Sequence, residues 1–423
     1  MKNILVLGSG GREHAIAWAL ADSDECGMLC IAPGNGGTAK VGYNVDVDIC
    51  SAESILEFVN GHDIDLVVVG PEAPLVAGVA DALREAGVAV FGPDAYGAQL
   101  EGSKKFAKEF MAANDTPTAA YAAFDNCDDA LAYVREQGAP IVVKADGLAA
   151  GKGVVVAETL EQAEDAVRNC FDGAFGAAGA EVVIEECMTG PECSLFAFLT
   201  KGRAFCMVPA QDHKRAYGGD KGPNTGGMGA YSTVPFVTEE DLASMVSTME
   251  TAAAATAKEP FVQDYRGVLY GGFMLTPKGP KIVEFNARFG DPETQVVLPR
   301  LKSDLVEVMC ACAEGRPEDV ELEWSDKWAV TVVLASAGYP GSYEKGKLIT
   351  GIDEAEKIDG VIVFHAGTKL DQGKLYTSGG RVLNVTALGD TYEEARAKAY
   401  RACDLIDFEG KQFRTDIGHW VTD

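Results

Sequence analysis

The sequence lacks a long apolar run, an excess of positive charge and the paired cysteine spacing of a zinc site. No stretch approaches the roughly 20 apolar residues of a membrane helix, and the apolar start at 4–7 is too short for a signal peptide. With 36 Lys and Arg against 64 Asp and Glu, the formal charge of −28 disfavours nucleic acid and anionic membrane as partners. The 11 dispersed cysteines are typical of reduced core residues. We therefore expect a cytoplasmic protein.

The order of patterns along the 423 residues predicts three domains of an α/β protein. Residues 1–103 alternate short apolar strands with helical stretches, a pattern typical of an open parallel sheet with ligands at the carboxyl ends of its strands. Residues 104–326 begin with a helix and then mix hairpins, helices and glycine-rich loops, with a hairpin subdomain at about 120–190. Residues 327–423 combine further strands with a final helix.

Glycine loops at the ends of the first strands indicate a phosphate site. The first strand runs into GSGGREH (8–14), whose backbone N–H groups and helix N-terminus suit a phosphate. A dinucleotide fold is disfavoured because Glu13 stands at the third glycine position and the second strand ends in PGNGGT (33–38) without an acidic residue. With Glu72 after the third strand, these loops outline a crevice for a small phosphorylated ligand. A turn needed only for helix–sheet packing remains the alternative.

A second glycine loop predicts a nucleotide site. Lys144 ends an apolar strand, the loop 145–153 (ADGLAAGKG) follows, and another apolar strand comes next. This is not a Walker A loop, because Gly147 to Gly151 is one residue too short, Gly153 replaces Ser or Thr, and a strand follows instead of a helix. We interpret it as a hairpin flap whose amides cover phosphates, with Lys144 and Lys152 as point charges. The alternative is a flexible surface hairpin.

The most informative segment is KIVEFNARFGD (281–291). In a strand alternate residues share a face, so Glu284, Asn286 and Arg288 would lie on one side while Val283 and Phe285 pack on the other. Two oxygen ligands at that spacing suit magnesium, whose shell is completed by phosphates and water, and the Arg288 fork suits phosphate or carboxylate. The alternative is the solvated face of a half-buried strand.

Two further segments are candidate contacts for the ligands. Glu185 and Glu186 end a strand and could accept hydrogen bonds from adenine and ribose, although acids at a strand exit are commonly just solvated. The glycine-rich stretch from QDHKR (211–215) to PNTGGMGAYS (223–232) is interpreted as a substrate clamp because it lies between the flap and the metal strand. His213 is interpreted as a hydrogen-bonding or surface residue and not as a general base.

At these residues the chain resembles the glycinamide ribonucleotide synthetase family of phosphoribosylamine–glycine ligases, within the ATP-grasp superfamily. The resemblance spans essentially the whole chain. Its markers in order are GSGGREHA (8–15), PGNGGT (33–38), GPEAPL (70–75), EGSK (101–104), KADGLAAGKGV (144–154), QDHKR (211–215), PNTGGMGAYS (223–232), EFNARFGDPETQ (284–295), HAGTKL (365–370) and SGGRVLNVTALG (378–389).

The resemblance implies an ATP-grasp fold with an N-terminal open parallel-sheet domain and a small C-terminal α+β domain. It implies that ATP phosphorylates glycine to an acyl phosphate, which the amine of 5-phosphoribosylamine attacks to give glycinamide ribonucleotide, ADP and phosphate. Mg²⁺ or Mn²⁺ would be required. A monomer with small-molecule substrates is expected, and an oligomer is left open.

The resemblance also assigns roles to matching residues. Glu284 and Asn286 would bind the metal, and Arg288, Asp212 and Lys144 would act on the reacting groups. The nucleotide would be contacted by Lys104, Lys144, Gly147, Gly151, Lys152, Gly153, Glu185, Glu186, Cys187, Met188 and Glu192. The other two substrates would be bound by Gly10, Gly11, Arg12, Asn35, Gly37, Thr38, Glu72, Asn224, Thr225, Gly226, Gly227, Met228 and Arg288.

Two departures and three rival functions accompany this interpretation. Met274 stands where many ATP-grasp relatives have another acidic ligand, which leaves a second magnesium without an obvious protein carboxylate. Near the expected adenine site, Cys187 stands where a larger apolar residue is expected, and Cys193 stands where a small residue is expected.

The rival functions are another purine-pathway ATP-grasp ligase, a nucleotide-binding protein without turnover and an NAD-dependent oxidoreductase. The roles of His365 and Arg381 remain open.

Overall fold

A computed structural model of the chain describes residues 1–147, 153–174, 176–258 and 264–421. Gly151 and Lys152, both predicted for the flap, lie outside the described residues. Within the described ranges, no helix has the length and apolar character needed to span a membrane.

The N-terminal region is a five-stranded parallel sheet in the order β3-β2-β1-β4-β5, as the alternating pattern predicts. Its apolar strands are covered by helices on both faces, which suits a parallel sheet. In chain order the elements are β1 (Lys2–Gly8), α1 (Gly11–Ala21), β2 (Cys26–Pro33), β3 (Tyr43–Asn44), α2 (Ala52–Gly61), β4 (Leu66–Val69), α3 (Glu72–Val76), α4 (Val79–Glu85) and β5 (Ala89–Phe91).

The predicted flap is a hairpin within a four-stranded antiparallel sheet, in the order β6-β9-β7-β8. Lys144 on β7 pairs with Val154 on β8 across the hairpin. The elements of this part are α5 (Ala95–Gly102), α6 (Lys104–Ala113), β6 (Tyr121–Phe124), α7 (Cys127–Gln137), β7 (Ile141–Ala145), β8 (Val154–Ala157), α8 (Leu160–Asn169) and β9 (Val182–Glu186).

A second antiparallel sheet, in the order β11-β10-β16-β17, faces the first one and carries the predicted metal strand as β17. The elements that follow β9 are β10 (Glu192–Thr200), β11 (Arg203–Cys206), β12 (Gln211–Asp212), β13 (Arg215–Tyr217), β14 (Lys221–Asn224), β15 (Gly229–Ser232), α9 (Glu239–Ala255), β16 (Gly267–Thr276), β17 (Gly279–Asn286), α10 (Thr294–Val297) and α11 (Leu305–Glu314).

The C-terminal sheet has the order β12-β15-β18-β23-β20, and β24 also pairs with β18. Its first two strands come from the middle of the chain, so the segment 211–232 is built into the sheet of the third region. The C-terminal elements are β18 (Trp328–Ser336), β19 (Leu348–Ile349), α12 (Ile352–Ala355), β20 (Val361–His365), β21 (Thr368–Asp371), β22 (Lys374–Thr377), β23 (Arg381–Gly389), α13 (Tyr392–Leu405) and β24 (Lys411–Gln412).

Two buried histidines join the N-terminal and C-terminal regions. The backbone N–H of His365 donates to Nδ1 of His14 at 2.7 Å, and the two rings meet edge to face. Asn35 adds to this contact, because its amide donates to the carbonyl of His365 at 2.8 Å and to that of Ser9 at 2.9 Å. Burial lowers the pKa of His14 to about 3 and the pKa of His365 well below its ordinary value. Both rings are therefore neutral parts of the fold.

We expect the stability of the protein to fall on mild acidification. His213 is also buried, with a pKa of about 3, and its Nε2 accepts from the N–H of Gly418 at 3.1 Å. The folded-state pKa of each histidine lies below its ordinary value. Each histidine therefore contributes its full share to the free energy of unfolding above about pH 6.5, and this contribution is lost as the pH falls. Each histidine contributes up to about 1.4 kcal/mol per pH unit. Urea denaturation between pH 7 and pH 5 measures the slope.

The variant His14→Asn keeps an acceptor near the position of Nδ1 without a titrating ring, so it should reduce this slope. His62→Asn is the matched control, because it removes an exposed imidazole at the end of α2, and its slope should equal that of the native chain. Equal slopes for all three proteins would contradict the prediction.

Candidate active site

One cleft of about 550 Å³ brings together side chains from all three regions. It lies where the carboxyl ends of β1 and β4 meet the two antiparallel sheets, as expected for open parallel sheets. The predicted residues that line it are Arg12, Glu72, Lys104, Lys144, Gly147, Gly153, Glu185, Glu186, Cys187, Met188, Glu192, Asn224, Thr225, Gly226, Glu284, Asn286 and Arg288.

Several other predicted residues lie outside the lining of this cleft, namely Gly10, Gly11, Asn35, Gly37, Thr38, Asp212, Gly227 and Met228. The side chains of Asn35 and Thr38 are buried and bond within their own loop, since Asn35 Oδ1 accepts from the N–H groups of Gly37 and Thr38 at 2.8 and 3.1 Å. A Cβ on Gly37 would meet the His14 ring at 2.3 Å. These residues therefore shape the loop, and any ligand contact would come from its backbone.

Two lysines define one end of the cleft. Lys104 begins α6, and its ammonium donates to the carbonyl of Gly147 at 2.9 Å, directly at the start of the glycine loop. Burial lowers the pKa of Lys104, with Glu284 acting in the opposite direction. Lys144 on β7 is 2.8 Å from the carboxylate of Glu185 and donates to the carbonyl of Val283 at 3.2 Å. Two positive groups at a glycine loop suit the phosphates of a nucleotide.

The strand β17 presents its predicted polar face to the cleft. Glu284, Asn286 and the following Arg288 all line it. Phe285 is 2% exposed and packs on the other side against Phe110, although it also contributes to the lining of the cleft. The prediction that Val283 packs on that other side is wrong, because Val283 is half-buried and lines the cleft. A shift in register between β16 and β17 next to Glu284 accounts for this departure from strict alternation.

The donors on β17 fit a magnesium ion bound mainly by phosphates and water. Glu284 and Asn286 offer hard oxygen ligands, and Met274 of β16 lines the same cleft with a thioether that magnesium does not favour. In the described part of the chain, no three His, Cys, Asp or Glu side chains cluster as a metal site. Glu293 also lines the cleft and accepts from the Ser194 hydroxyl at 3.0 Å. The GDPETQ stretch contained Glu293, but only the fold places it near β17.

Arg288 is fixed by two glutamates. Its Nη2 is 2.7 Å from Glu101, and its Nε is 3.5 Å from Glu72. Burial alone would lower the pKa of Arg288, but Glu101 and Glu72 raise it above its ordinary value, so the guanidinium stays charged. Burial raises the pKa of Glu101. Sequence reasoning named the EGSK segment but assigned no role to Glu101, which lies far from Arg288 along the chain.

Arg12 and Arg381 define the opposite end of the cleft. Arg12 is anchored by Glu13, which accepts from Arg12 Nε at 2.5 Å and from the N–H of Gly10 at 2.6 Å. These two hydrogen bonds explain why Glu13, and not a glycine, occupies the third position of the glycine motif. Arg381 donates to the carbonyl of Gly226 at 2.6 Å and lies 3.3 Å from the carboxylate of Asp291. Burial opposes ionisation of Asp291, but Arg381 and Arg12 hold its pKa below the ordinary value.

The region around β12 carries an ion pair that sequence reasoning missed. The ammonium of Lys214 contacts the carboxylate of Glu192, and this contact is the main cause of the lowered pKa of Glu192. Burial raises the pKa of Asp212 to about 7; Lys214 opposes the shift, and Glu293 adds to it. The QDHKR motif contained Lys214, but nothing in its spacing indicated Glu192 as a partner.

The C-terminal segment fixes the loop that carries these residues. Arg414 is buried, donates to the carbonyl of Arg215 at 3.1 Å, and forms ion pairs with Asp416 at 2.8 Å and Asp220 at 2.9 Å. The Asp416 carboxylate in turn accepts from the N–H of Gly219 at 2.7 Å. The segment 211–228 is thus held between the C-terminal sheet and the cleft.

The chain is similar to known proteins over its whole length. The N, ATP-grasp (A) and C domains of phosphoribosylglycinamide synthetase match residues 2–101, 102–294 and 329–420. A phosphoribosylamine–glycine ligase from Brucella melitensis is 51% identical over 416 residues, which cover 98% of this chain and 97% of that protein. The crystal structure of phosphoribosylamine–glycine ligase from Thermotoga maritima has a TM-score of 0.85 at 34% identity, covering 98% of this chain and 100% of the other.

A more distant neighbour shows the fold alone. The biotin carboxylase–β,γ-ATP complex from Campylobacter jejuni has a TM-score of 0.75 at 14% identity, covering 97% of this chain and 93% of the other. Together with the site, these similarities define an enzyme of the ATP-grasp class, an ATP-using ligase. The chain belongs to the phosphoribosylglycinamide synthetase family.

We expect Arg414→Met to destabilise the protein by about 2 kcal/mol, because it leaves Asp416 and Asp220 without their shared cation. Arg396→Met is the matched control, since the half-buried Arg396 donates to the backbone carbonyl of Thr415 at 2.7 Å and stacks on the ring of Tyr400. The control should cost about 0.5 kcal/mol or less. Urea denaturation at neutral pH compares the two, and equal losses would show that the buried ion pairs of Arg414 add nothing.

Proposed function

We propose that the chain ligates glycine to 5-phosphoribosylamine, using ATP, through a glycyl phosphate intermediate. The observation that carries the proposal is that one cleft joins a lysine-lined glycine loop, an oxygen-ligand strand and a separate arginine-rich end. Such a cleft suits a nucleotide triphosphate at one end and a phosphorylated amine at the other. Family membership supports the same reaction.

The nucleotide would lie between the two antiparallel sheets. Lys104 and Lys144 would contact its phosphates beneath the hairpin, the backbone around Glu186 to Met188 would meet adenine, and Glu192 would accept from the ribose. Mg²⁺ or Mn²⁺, bound by Glu284 and Asn286, would neutralise phosphate charge during transfer. The protein's part in this step is alignment and electrostatic stabilisation.

Glycine would lie between the metal strand and the loop 224–228. The carboxylate of glycine would approach Arg288, which its two glutamates hold in place. The ammonium of glycine would be directed toward Asp212, which lies outside the lining of the cleft. That positive charge would keep Asp212 ionised despite the raised pKa of its carboxyl group. In the first step a glycine oxygen attacks the γ-phosphorus and ADP leaves.

The phosphoribosylamine would occupy the end formed by Arg12, Glu72 and Arg381. Its amine attacks the acyl carbonyl, phosphate leaves, and the amine loses a proton. The acyl phosphate is lost to hydrolysis unless water is excluded, which gives a flap over the cleft a function. The three-domain boundaries, a cytoplasmic location and a monomeric state remain parts of this proposal.

The proposal predicts that ADP release requires both glycine and freshly generated phosphoribosylamine. A coupled assay that omits each substrate in turn measures this dependence. ADP release without glycine, or with another carboxylic acid in its place, would reject the assignment and favour another purine-pathway ligase of the same fold.

Glu284→Gln should lower kcat by about 10–100-fold and raise the magnesium concentration needed for half-maximal rate, because one charged ligand is lost. Glu57→Gln, at an exposed position of α2, is the matched control and should change neither quantity. Magnesium titrations of both variants at saturating ATP give the comparison. If the magnesium dependence of Glu284→Gln equals that of the control, Glu284 is not a metal ligand.

A further inference from the structure

Three charged side chains form a buried cluster at the nucleotide end of the cleft, and all three contribute to its lining. The two oxygens of Glu185 contact two different lysines, Lys144 at 2.8 Å and Lys108 at 3.0 Å. Glu185 and Lys108 are each 2% exposed, and Lys144 is 5% exposed. The proposed function gives Lys144 a role at the phosphates but gives Lys108 none. A buried lysine is costly unless its charge is used or matched.

The cluster connects the two antiparallel sheets. Lys108, on α6, also donates to the hydroxyl of Thr118 at 2.7 Å, and that hydroxyl donates to the carbonyl of Ile282 on β17 at 2.7 Å. Lys144, on the hairpin strand β7, donates to the carbonyl of Val283, the next residue of β17. Both lysines are therefore fixed against the strand that carries Glu284.

The charges in this cluster do not cancel. Glu185 supplies one negative charge to two ammonium groups. Burial lowers the pKa of Lys108 to about 8, with Glu185 opposing the shift and Lys144 adding to it. Lys108 is therefore largely protonated at neutral pH, and the cluster keeps a net positive charge at the cleft. Without Lys108, Glu185 and Lys144 would form a neutral pair, which attracts phosphates less.

We propose that Lys108 is a positioning residue for ATP: it shares Glu185 with Lys144 and so leaves the charge of Lys144 available to the nucleotide phosphates. This inference rests on the proposed function, because it takes Lys144 as a phosphate contact. Lys108 also contributes to the lining of the cleft, but its ammonium is held by Glu185 and the hydroxyl of Thr118, so we assign its effect on the phosphates to this network. Its effect belongs to ATP and ADP binding and not to the glycine or phosphoribosylamine ends of the cleft.

The test compares Lys108→Met with Lys105→Met. Lys105 lies on the same helix and pairs with Glu181 at 3.0 Å, but it is half-exposed and does not line the cleft. We expect Lys108→Met to raise the KM for ATP and the Kd for ADP with Mg²⁺ about tenfold, in the range seen when a supporting partner is removed. The KM values for glycine and phosphoribosylamine should stay within about twofold. Lys105→Met should resemble the native protein.

A double-mutant cycle separates charge from structure. Lys108→Met combined with Glu185→Gln leaves Lys144 beside a neutral amide, so the cluster regains the net charge of the native protein. We expect this double variant to bind ADP more tightly than Lys108→Met alone, and Glu185→Gln completes the cycle. Lys108→Arg, which retains the charge, should keep the KM for ATP within about threefold of native. If Lys108→Met does not fold, Lys108→Gln replaces it.

The inference is overturned if folded Lys108→Met matches Lys105→Met in ADP affinity, or if adding Glu185→Gln fails to recover binding. A lower melting temperature with unchanged ADP affinity indicates a structural lysine and also overturns it. Equilibrium binding of ADP distinguishes a failure of this inference from a failure of the proposed function. If the native chain binds ADP but shows no glycine-dependent turnover, the proposed function fails while the role of Lys108 in nucleotide binding is still tested.

Discussion

Four of the cations that face the cleft or adjoin it are held by a glutamate, and these pairs organise the site. Arg12 is anchored by Glu13, Arg288 by Glu101, Lys144 by Glu185 and Lys214 by Glu192. Each glutamate removes the cost of burying an unpaired charge and fixes the direction of its partner. The arrangement lets a strongly acidic chain present positive groups to several anions, because each is stabilised locally and not by the charge of the whole molecule.

Two ion pairs at the site, Arg288 with Glu101 and Arg381 with Asp291, connect different regions of the chain. Arg288 follows β17 and is held by Glu101 at the end of α5, while Glu185 joins the hairpin sheet to α6. Arg381 joins the C-terminal sheet to Gly226 and Asp291. A ligand that engages these cations therefore contacts groups whose positions depend on all three regions.

Much of the fold could be predicted because it depends on local patterns. The apolar strands of the parallel sheet, the hairpin after Lys144 and the polar face of β17 follow from periodicity and glycine placement. The partners of the site residues could not be predicted, because Glu101, Lys214 and Arg414 reach them across long sequence separations. Asn35 and Thr38 illustrate the limit: their polar side chains satisfy buried loop amides, and a motif does not distinguish that use from ligand binding.

The loop 211–228 shows how the fold reconciles a polar substrate site with a stable core. A loop of glycine and polar residues loses much conformational entropy when it is ordered. Here β12 and β15, at its two ends, join the sheet of β18, and Arg414 and Asp416 bind its middle through backbone carbonyl and N–H groups. The entropy is thus lost on folding and not on substrate binding, so the side chains that face the cleft are ordered before a ligand arrives.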